Sequence, residues 1–285
     1  MTPTTTLGLV VVGYDSDDVW AGFFEGIHNS TLKPHAIVVV ENGLSVSPQV
    51  LSQPYLPITT LHCPDNPGYG TAANVGVREL PTSCDWVIIA NPDVRLEPDA
   101  IENLVEAMGV LPQTGVLGPQ IRTASGAVYP SARAIPGIRI GIGHALWGRI
   151  WPQNRWTSRY LGGYGGAEPR TTGWLSGAFF LVKREAFEQI GGFDERYFMF
   201  FEDVDLCFRL SRLGWRNVYV PRSSITHSGA HATKTSMVDM IQAHHKSAER
   251  FLSKLYPRKS QAVLRGLLGI GLRLRSAIET SLTPK

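Results

Sequence analysis

Short β-branched runs recur along the chain at helix-sized intervals, and this alternation restricts the fold more than any other feature. The runs are LGLVVVGY (7–14), AIVVVEN (36–42), ITTLHC (58–63), DWVIIANPD (85–93) and GVLGPQI (115–121). Helical patterns are predicted between them, near 17–30, 70–80 and 98–110. Continuous apolar strands need cover on both faces, so the rhythm predicts an α/β fold, a Rossmann-like, mainly parallel central sheet with flanking helices. In such sheets ligands gather beyond the carboxyl ends of the strands. Attention therefore falls on Tyr14, Asp15, Glu41, Asn42, Asn66, Asn91 and Asp93.

Residues 125–172 lose this periodicity and gather Gly, Pro, Arg and Trp, which predicts a long excursion carrying binding function. Order returns at TGWLSGAFFLVKREAF, read as a buried strand entering a helix, and at NVYVP, read as another strand. A helix is predicted from about Ser236, and a second, basic one follows Pro257. With 285 residues and 43% hydrophobic content, one compact catalytic body is expected.

The net charge of +3 hides an asymmetry: residues 246–285 hold nine Lys or Arg against Glu249 and Glu279, which leaves the first 245 residues at −4. A basic tail suits an anionic surface, although a solvated basic helix reads the same way. Cys63, Cys84 and Cys207 are widely spaced with no CxxC, so neither a disulfide framework nor a zinc knuckle is indicated. No apolar run approaches a membrane span, and the N-terminus lacks a basic leader region. The expected location is cytoplasmic, or peripheral on the inner face of the plasma membrane.

Four stretches carry chemistry. Asn91-Pro92-Asp93 ends a buried strand as either a plain turn or a hard oxygen ligand for a divalent ion. NPGYGTAANVG (66–76) places Gly68 and Gly70 at a helix start among Asn66, Tyr69 and Asn74, and it matches neither GxGxxG nor a P-loop. In YFMFFEDVDLCFRL (197–210) a helix is predicted near Glu202, where its dipole steadies acids. The preceding rings add desolvation, which raises a carboxylate's pKa and makes it a better base. Helical spacing turns Asp205 away from Asp203, so one of the two suffices as base. His227 ends a buried run, as a metal or diphosphate ligand would; His231 follows, and His244 and His245 fall inside a helix.

The ordered set VVVGY, VVVENG, NPGYGTAANVG, ANPD, WLSGAFFLVKR, GGFDERYFMFFEDVDLCFRL, GW and ITHSGAHAT resembles family 2 inverting glycosyltransferases of the GT-A fold, over roughly residues 7–235. ANPDV, GPQIR, VYPSAR, GWLSG and AHHKS look like the branch of actinobacterial rhamnosyltransferases that act on a polyprenyl-diphosphate sugar. The resemblance implies Asp203 as general base, and Asp93 with His227 as holders of Mg2+ or Mn2+. Asn91 stands where the family's metal motif has its first acid. It implies a nucleotide-sugar site at Tyr14, Glu41, Asn42, Asn66, Gly68, Tyr69, Asn74, Asn91 and Asp93. Arg133, Trp174, Ser176, Gly177 and Glu202 are implied for the acceptor side, with Arg133 able to meet either diphosphate.

The implied donor is dTDP-L-rhamnose and the implied acceptor a polyprenyl-diphosphate N-acetylglucosamine, the substrate of a cell-wall linker step. The expected division is a nucleotide-sugar half at 1–125, an acceptor and catalytic half at 126–235, and a helical extension at 236–285. An anionic membrane surface is the expected partner of that tail, together with Arg139, Trp147, Arg149, Trp151, Arg155 and Trp156 of the excursion. A family 2 transferase using a UDP or GDP sugar, or a non-catalytic glycan binder on the same fold, are the other readings. Nucleic acid is not an expected partner, because the sheet edge is acidic and the basic residues cluster in the tail.

Overall fold

Every residue of LGLVVVG is buried, and this strand, β1 (Leu7–Gly13), forms the centre of the first half of a computed structural model. The structure describes residues 5–52, 57–137, 151, 154, 160, 166–229 and 237–282. After β1 come α1 (Trp20–Asn29), β2 (Ala36–Glu41), α2 (Pro48–Leu51), β3 (Ile58–His62), α3 (Tyr69–Glu79), β4 (Trp86–Ala90), β5 (Val94–Leu96) and α4 (Ala100–Glu106). Then follow β6 (Thr114–Arg122), β7 (Val128–Tyr129), β8 (Ala132–Arg133), β9 (Arg170–Thr172), β10 (Trp174–Leu175), β11 (Phe179–Lys183) and α5 (Arg184–Gln189). The chain continues through α6 (Glu202–Arg212), β12 (Arg216–His227), α7 (Met237–Leu255) and α8 (Ala262–Leu282).

The main sheet runs β3-β2-β1-β4-β11-β6-β12-β5, with β7 added to β6 and β9 to β12. β3, β2, β1 and β4 are mutually parallel, β12 runs parallel to β6, and β11 sits antiparallel between β4 and β6. The expected mainly parallel α/β sheet is therefore present, with one reversed strand joining its two parallel blocks. Trp20, Phe23, Phe24 and Ile27 recur at helical spacing and bury α1 against one face, together with Ile101 and Leu104 of α4. The opposite face is covered by Ala72, Ala73 and Val77 of α3, by Leu206 and Leu210 of α6, and by Phe251 of α7.

Two sequence readings shift in detail. The strand predicted to reach Asp93 stops at Ala90, because Pro92 has no N–H for a ladder; Asn91–Asp93 instead turn the chain into β5. The helix predicted over 98–110 is a shorter α-helix finished by a 3-10 turn at Ala107–Gly109. The outcome that matters for function is register. β12 pairs antiparallel with β5 so that His227 lies opposite Val94, the residue after Asp93. Two segments more than a hundred residues apart thus end at one corner of the sheet.

Candidate active site

That corner is marked by a 3.1 Å contact between His227 Nε2 and Asp93 Oδ1. Asp93 is buried, its Oδ2 accepts from Ser228 Oγ at 3.3 Å, and its backbone carbonyl accepts from Ser228 N–H. Asn91 Nδ2 stands 3.5 Å from the same imidazole nitrogen. His227 is placed by strand pairing, and Asp93 by the turn that enters the paired strand β5.

Across the cleft, α6 begins at Glu202, directly after Phe200 and Phe201, whose φ angles of 67° and 65° are left-handed. Non-glycine residues rarely adopt that conformation, and two in succession turn the chain sharply enough to aim the next carboxylates inward. Asp203 Oδ2 accepts from Gly177 N–H at 2.9 Å and Oδ1 from Val204 N–H at 2.7 Å. Gly177 has little room for a side chain, since a Cβ there would sit 3.3 Å from that of Asp203. Burial pushes the Asp203 carboxyl above its ordinary range, against the pull of both N–H donors and of the Arg133 charge. Burial, with the adjacent Asp203, pushes Glu202 up to about 8. Asp205 turns the other way, as helical spacing predicts, and is fully buried against Arg209 and Lys254.

Both walls face one cleft of about 560 Å3. Tyr14, Asn42, Asn66, Gly68, Tyr69, Asn91 and Asp93 line it from the first half; Arg133, Trp174, Ser176, Gly177, Glu202, Asp203 and His227 line it from the second. Asn42 Nδ2 donates to Asn66 Oδ1 at 3.0 Å, bridging the ends of β2 and β3. Tyr69 is held by a 2.7 Å bond to the Gly177 carbonyl, which ties the start of α3 to the loop that grips Asp203. Arg133 stacks near Tyr129, Tyr160 and Trp174, with its guanidinium carbon 5.2–5.7 Å from each ring centre.

Two expectations need correction. Glu41 does not line the cleft: side chains alternate along β2, so Glu41 shares the α1 face with Val39 and is buried, while Asn42 takes the open side. Its carboxyl is raised by that burial, and by nearby Asp17 and Asp15, against a hydrogen bond from the Ser47 backbone. Asn74 is also buried away from the cleft, its amide bonded to both backbone groups of Phe193 and to Glu195, so it fastens the GGFDE loop. Gly68 and Tyr69 do line the cleft, and the Tyr69 N–H donates to the Phe198 carbonyl. Gly68 is also closely packed: its φ is 96°, and a Cβ would lie 2.4 Å from that carbonyl.

A family model described as "Glycosyltransferase like family 2" matches residues 3–244. The chain is 41% identical to the N-acetylglucosaminyl-diphospho-decaprenol L-rhamnosyltransferase of Mycobacterium tuberculosis, a match covering 96% of this chain and 92% of the relative. It belongs to glycosyltransferase family 2. Over 81 residues, 28% of this chain and 31% of the relative, it is 40% identical to the rhamnosyltransferase WbbL of Escherichia coli K12. Among solved structures, the mannosyltransferase PcManGT of Pyrobaculum calidifontis, in complex with GDP-Man and Mn2+, superposes with a TM-score of 0.59. That match covers 98% of this chain and 73% of the other at 15% identity, and it bears on fold alone. The architecture is that of GT-A glycosyltransferases.

In this family 2 glycosyltransferase the cleft also contains residues that the sequence did not single out. Met199, Tyr129 and Tyr160 line it, as do Met240 and His244 of α7. The expectation that His244 is solvated or packed inside a helix misses its role as a wall, although AHHKS contained the signal. Its ring meets Phe200 and Phe201 at 5.5 and 5.3 Å, and burial, then the nearby His245, pull its pKa down to about 4. For a metal, Asp93 and His227 offer one oxygen and one nitrogen; among the described residues no set of three acidic, His or Cys side chains gathers. An aspartate oxygen beside a histidine nitrogen fits a divalent ion, which Asp93 and His227 would hold together. Of the excursion, Trp151 is described and exposed. Arg139, Trp147, Arg149, Arg155, Trp156 and His231 lie outside the described residues.

Proposed function

We propose that this chain is an inverting rhamnosyltransferase that moves L-rhamnose from dTDP-L-rhamnose to a polyprenyl-diphosphate N-acetylglucosamine. The observation carrying the proposal is that Asp203 faces the same cleft as Asp93 and His227. The similarity to the mycobacterial rhamnosyltransferase over nearly the whole chain supports the choice of sugar and acceptor. Residues 1–125 take the nucleotide sugar, with Tyr14, Asn42 and Asn66 at the nucleoside end. Arg133, Trp174, Ser176 and Glu202 of residues 126–235 receive the acceptor sugar.

Asp203 accepts the proton of an acceptor hydroxyl as that oxygen attacks the anomeric carbon. The carbon–oxygen bond to the diphosphate breaks on the opposite face, so one displacement inverts the anomer. Hydrogen bonds from Gly177 and Val204 keep the carboxylate aimed while leaving lone pairs for the incoming hydroxyl. Asp93 and His227 would hold Mg2+ or Mn2+, which supplies positive charge beside the leaving diphosphate. Exclusion of water by the rings of Phe200, Phe201 and Trp174 favours transfer over hydrolysis.

The direct test measures dTDP release from dTDP-L-rhamnose in the presence of a lipid-diphosphate N-acetylglucosamine. Asp203→Asn should lower turnover by about a thousandfold or more, with donor affinity within about twofold of the parent. Equal turnover in the variant overturns the base assignment. Release from a UDP or GDP sugar instead, with none from dTDP-L-rhamnose, overturns the donor.

A further inference from the structure

Helix α8 carries an apolar stripe facing solvent. Val263, Leu267, Ile270, Leu274, Ile278 and Leu282 are all more than half exposed. Their spacings of four, three, four, four and four keep them on one side of the helix over about 28 Å at 1.5 Å per residue. The reverse side is already used, with Gly269 buried against Glu249 of α7. Monomeric proteins seldom leave such a row open unless something covers it. No described helix is long and apolar enough to cross a membrane.

The surroundings say what the cover is. Arg273 and Arg275 fall on opposite borders of the stripe, about 100° of helical rotation from its centre. They form ion pairs with Glu249 and Glu279, respectively. Arg258 and Lys259 are exposed just before the helix. Residues 237–282 carry eight Lys or Arg against three acids, in a chain whose remainder is net acidic. An apolar face bordered by cations matches an anionic lipid interface, where side chains enter the acyl boundary and guanidinium groups stay at headgroup level. A second copy of α8 would instead bring arginine borders against arginine borders.

We infer that α8 is the face by which this protein lies on an anionic bilayer, with the stripe immersed and Arg273 and Arg275 at the phosphates. This rests on the lipid-linked acceptor of the proposed function and adds where the lipid stands. Glu279 at the end of the stripe lies 3.8 Å from His245 of α7, next to His244 on the cleft wall. The stripe therefore ends beside the cleft rim, where a headgroup-bearing sugar can reach Asp203 while its prenyl chain stays in the membrane.

The test is co-sedimentation of the full chain with phosphatidylcholine vesicles containing about one-third phosphatidylglycerol, without nucleotide sugar, beside the triple variant Leu267→Gln, Ile270→Gln, Leu274→Gln. The parent should pellet with these vesicles, and the variant should bind at least about tenfold more weakly. Circular dichroism and turnover on a short-chain, water-soluble acceptor should stay unchanged in the variant, since the stripe touches neither core nor cleft. Equal pelleting of both proteins overturns the inference. So does a parent dimer in lipid-free solution that the triple substitution dissociates, which would give the face to a second copy. Vesicle binding is read without turnover, so its failure is distinct from failure of the transferase reading, which dTDP release reports.

Discussion

Glu202 and Asp203 are adjacent carboxylates in a ring-lined wall, and one charge is the most such a pair holds comfortably at neutral pH. Burial raises both; two backbone N–H donors pull against that rise at Asp203, while Glu202 Oε2 has no partner among the described residues. Those donors favour a carboxylate at Asp203, the position proposed for the base. Raising the folded pKa of Glu202 from 4.5 to about 8 has a thermodynamic consequence. The folded protein binds more protons than the unfolded chain between these values, so stability is highest below the unfolded pKa and is lost as pH rises through the folded one. Glu202→Gln removes that slope. Denaturant titrations should show little difference at pH 5, and at pH 9 the variant should be more stable by at least about 1 kcal/mol. A variant no more stable than the parent at pH 9 would show that folding leaves the Glu202 carboxyl near its ordinary range. That Asp203 and Asp205 turn to different faces was legible from helical spacing, and Asp205 is indeed buried in its ion pairs. The division of charge between 202 and 203 was not, since it depends on N–H donors from Gly177 and from the helix itself.

Helix α7 fixes the loop that aims these acids. Ser247 Oγ donates to the Met199 carbonyl at 2.8 Å, and Phe251 meets Phe201 and Phe208 at ring distances of 5.7 and 5.5 Å. Lys254 pairs with Asp205 and, at 2.5 Å, with Asp194. Burial alone would raise Asp194, but hydrogen bonds from Arg196 and Lys254 override it and hold its carboxyl far below the usual range. These contacts retain the left-handed turn at Phe200 and Phe201, which would otherwise relax at a gain of about 1–3 kcal/mol per residue. Sequence periodicity gave the helix itself. Its long-range purpose was hidden, because a Ser on one helix and a carbonyl 48 residues earlier leave no local pattern. Ser247→Ala should cost only about 1 kcal/mol in chemical denaturation, yet lower kcat roughly tenfold with the nucleotide-sugar KM unchanged. A loss confined to stability, with kcat intact, would reduce α7 to a packing element.

At the scale of the molecule, the two parallel blocks of the sheet are joined through β11, and both ends of the cleft hang on that junction. The four parallel strands of the first half were readable because β1, β2 and β4 are built on apolar runs and β3 is a short β-branched one. The small pieces β5, β8, β9 and β10 were not, since two or three residues carry no period and are placed by partners remote in sequence. The same remoteness predicts cooperativity. β12 pairs with β5 from the first half and with β6 and β9. Unfolding residues 126–227 alone would strip β5 of its ladder and pull His227 from Asp93. Unfolding residues 7–125 alone would uncover β11, which is buried between β4 and β6. Neither half can melt while the other keeps its core, so calorimetry should record one transition for residues 7–227. A nucleotide sugar that binds only the folded form, at a hundred times its Kd, should move that whole transition by about 2.7 kcal/mol. Two transitions, with only the earlier half of the chain protected by nucleotide in hydrogen exchange, would mean that donor and acceptor halves fold separately and that the corner between Asp93 and His227 is a docking contact between domains.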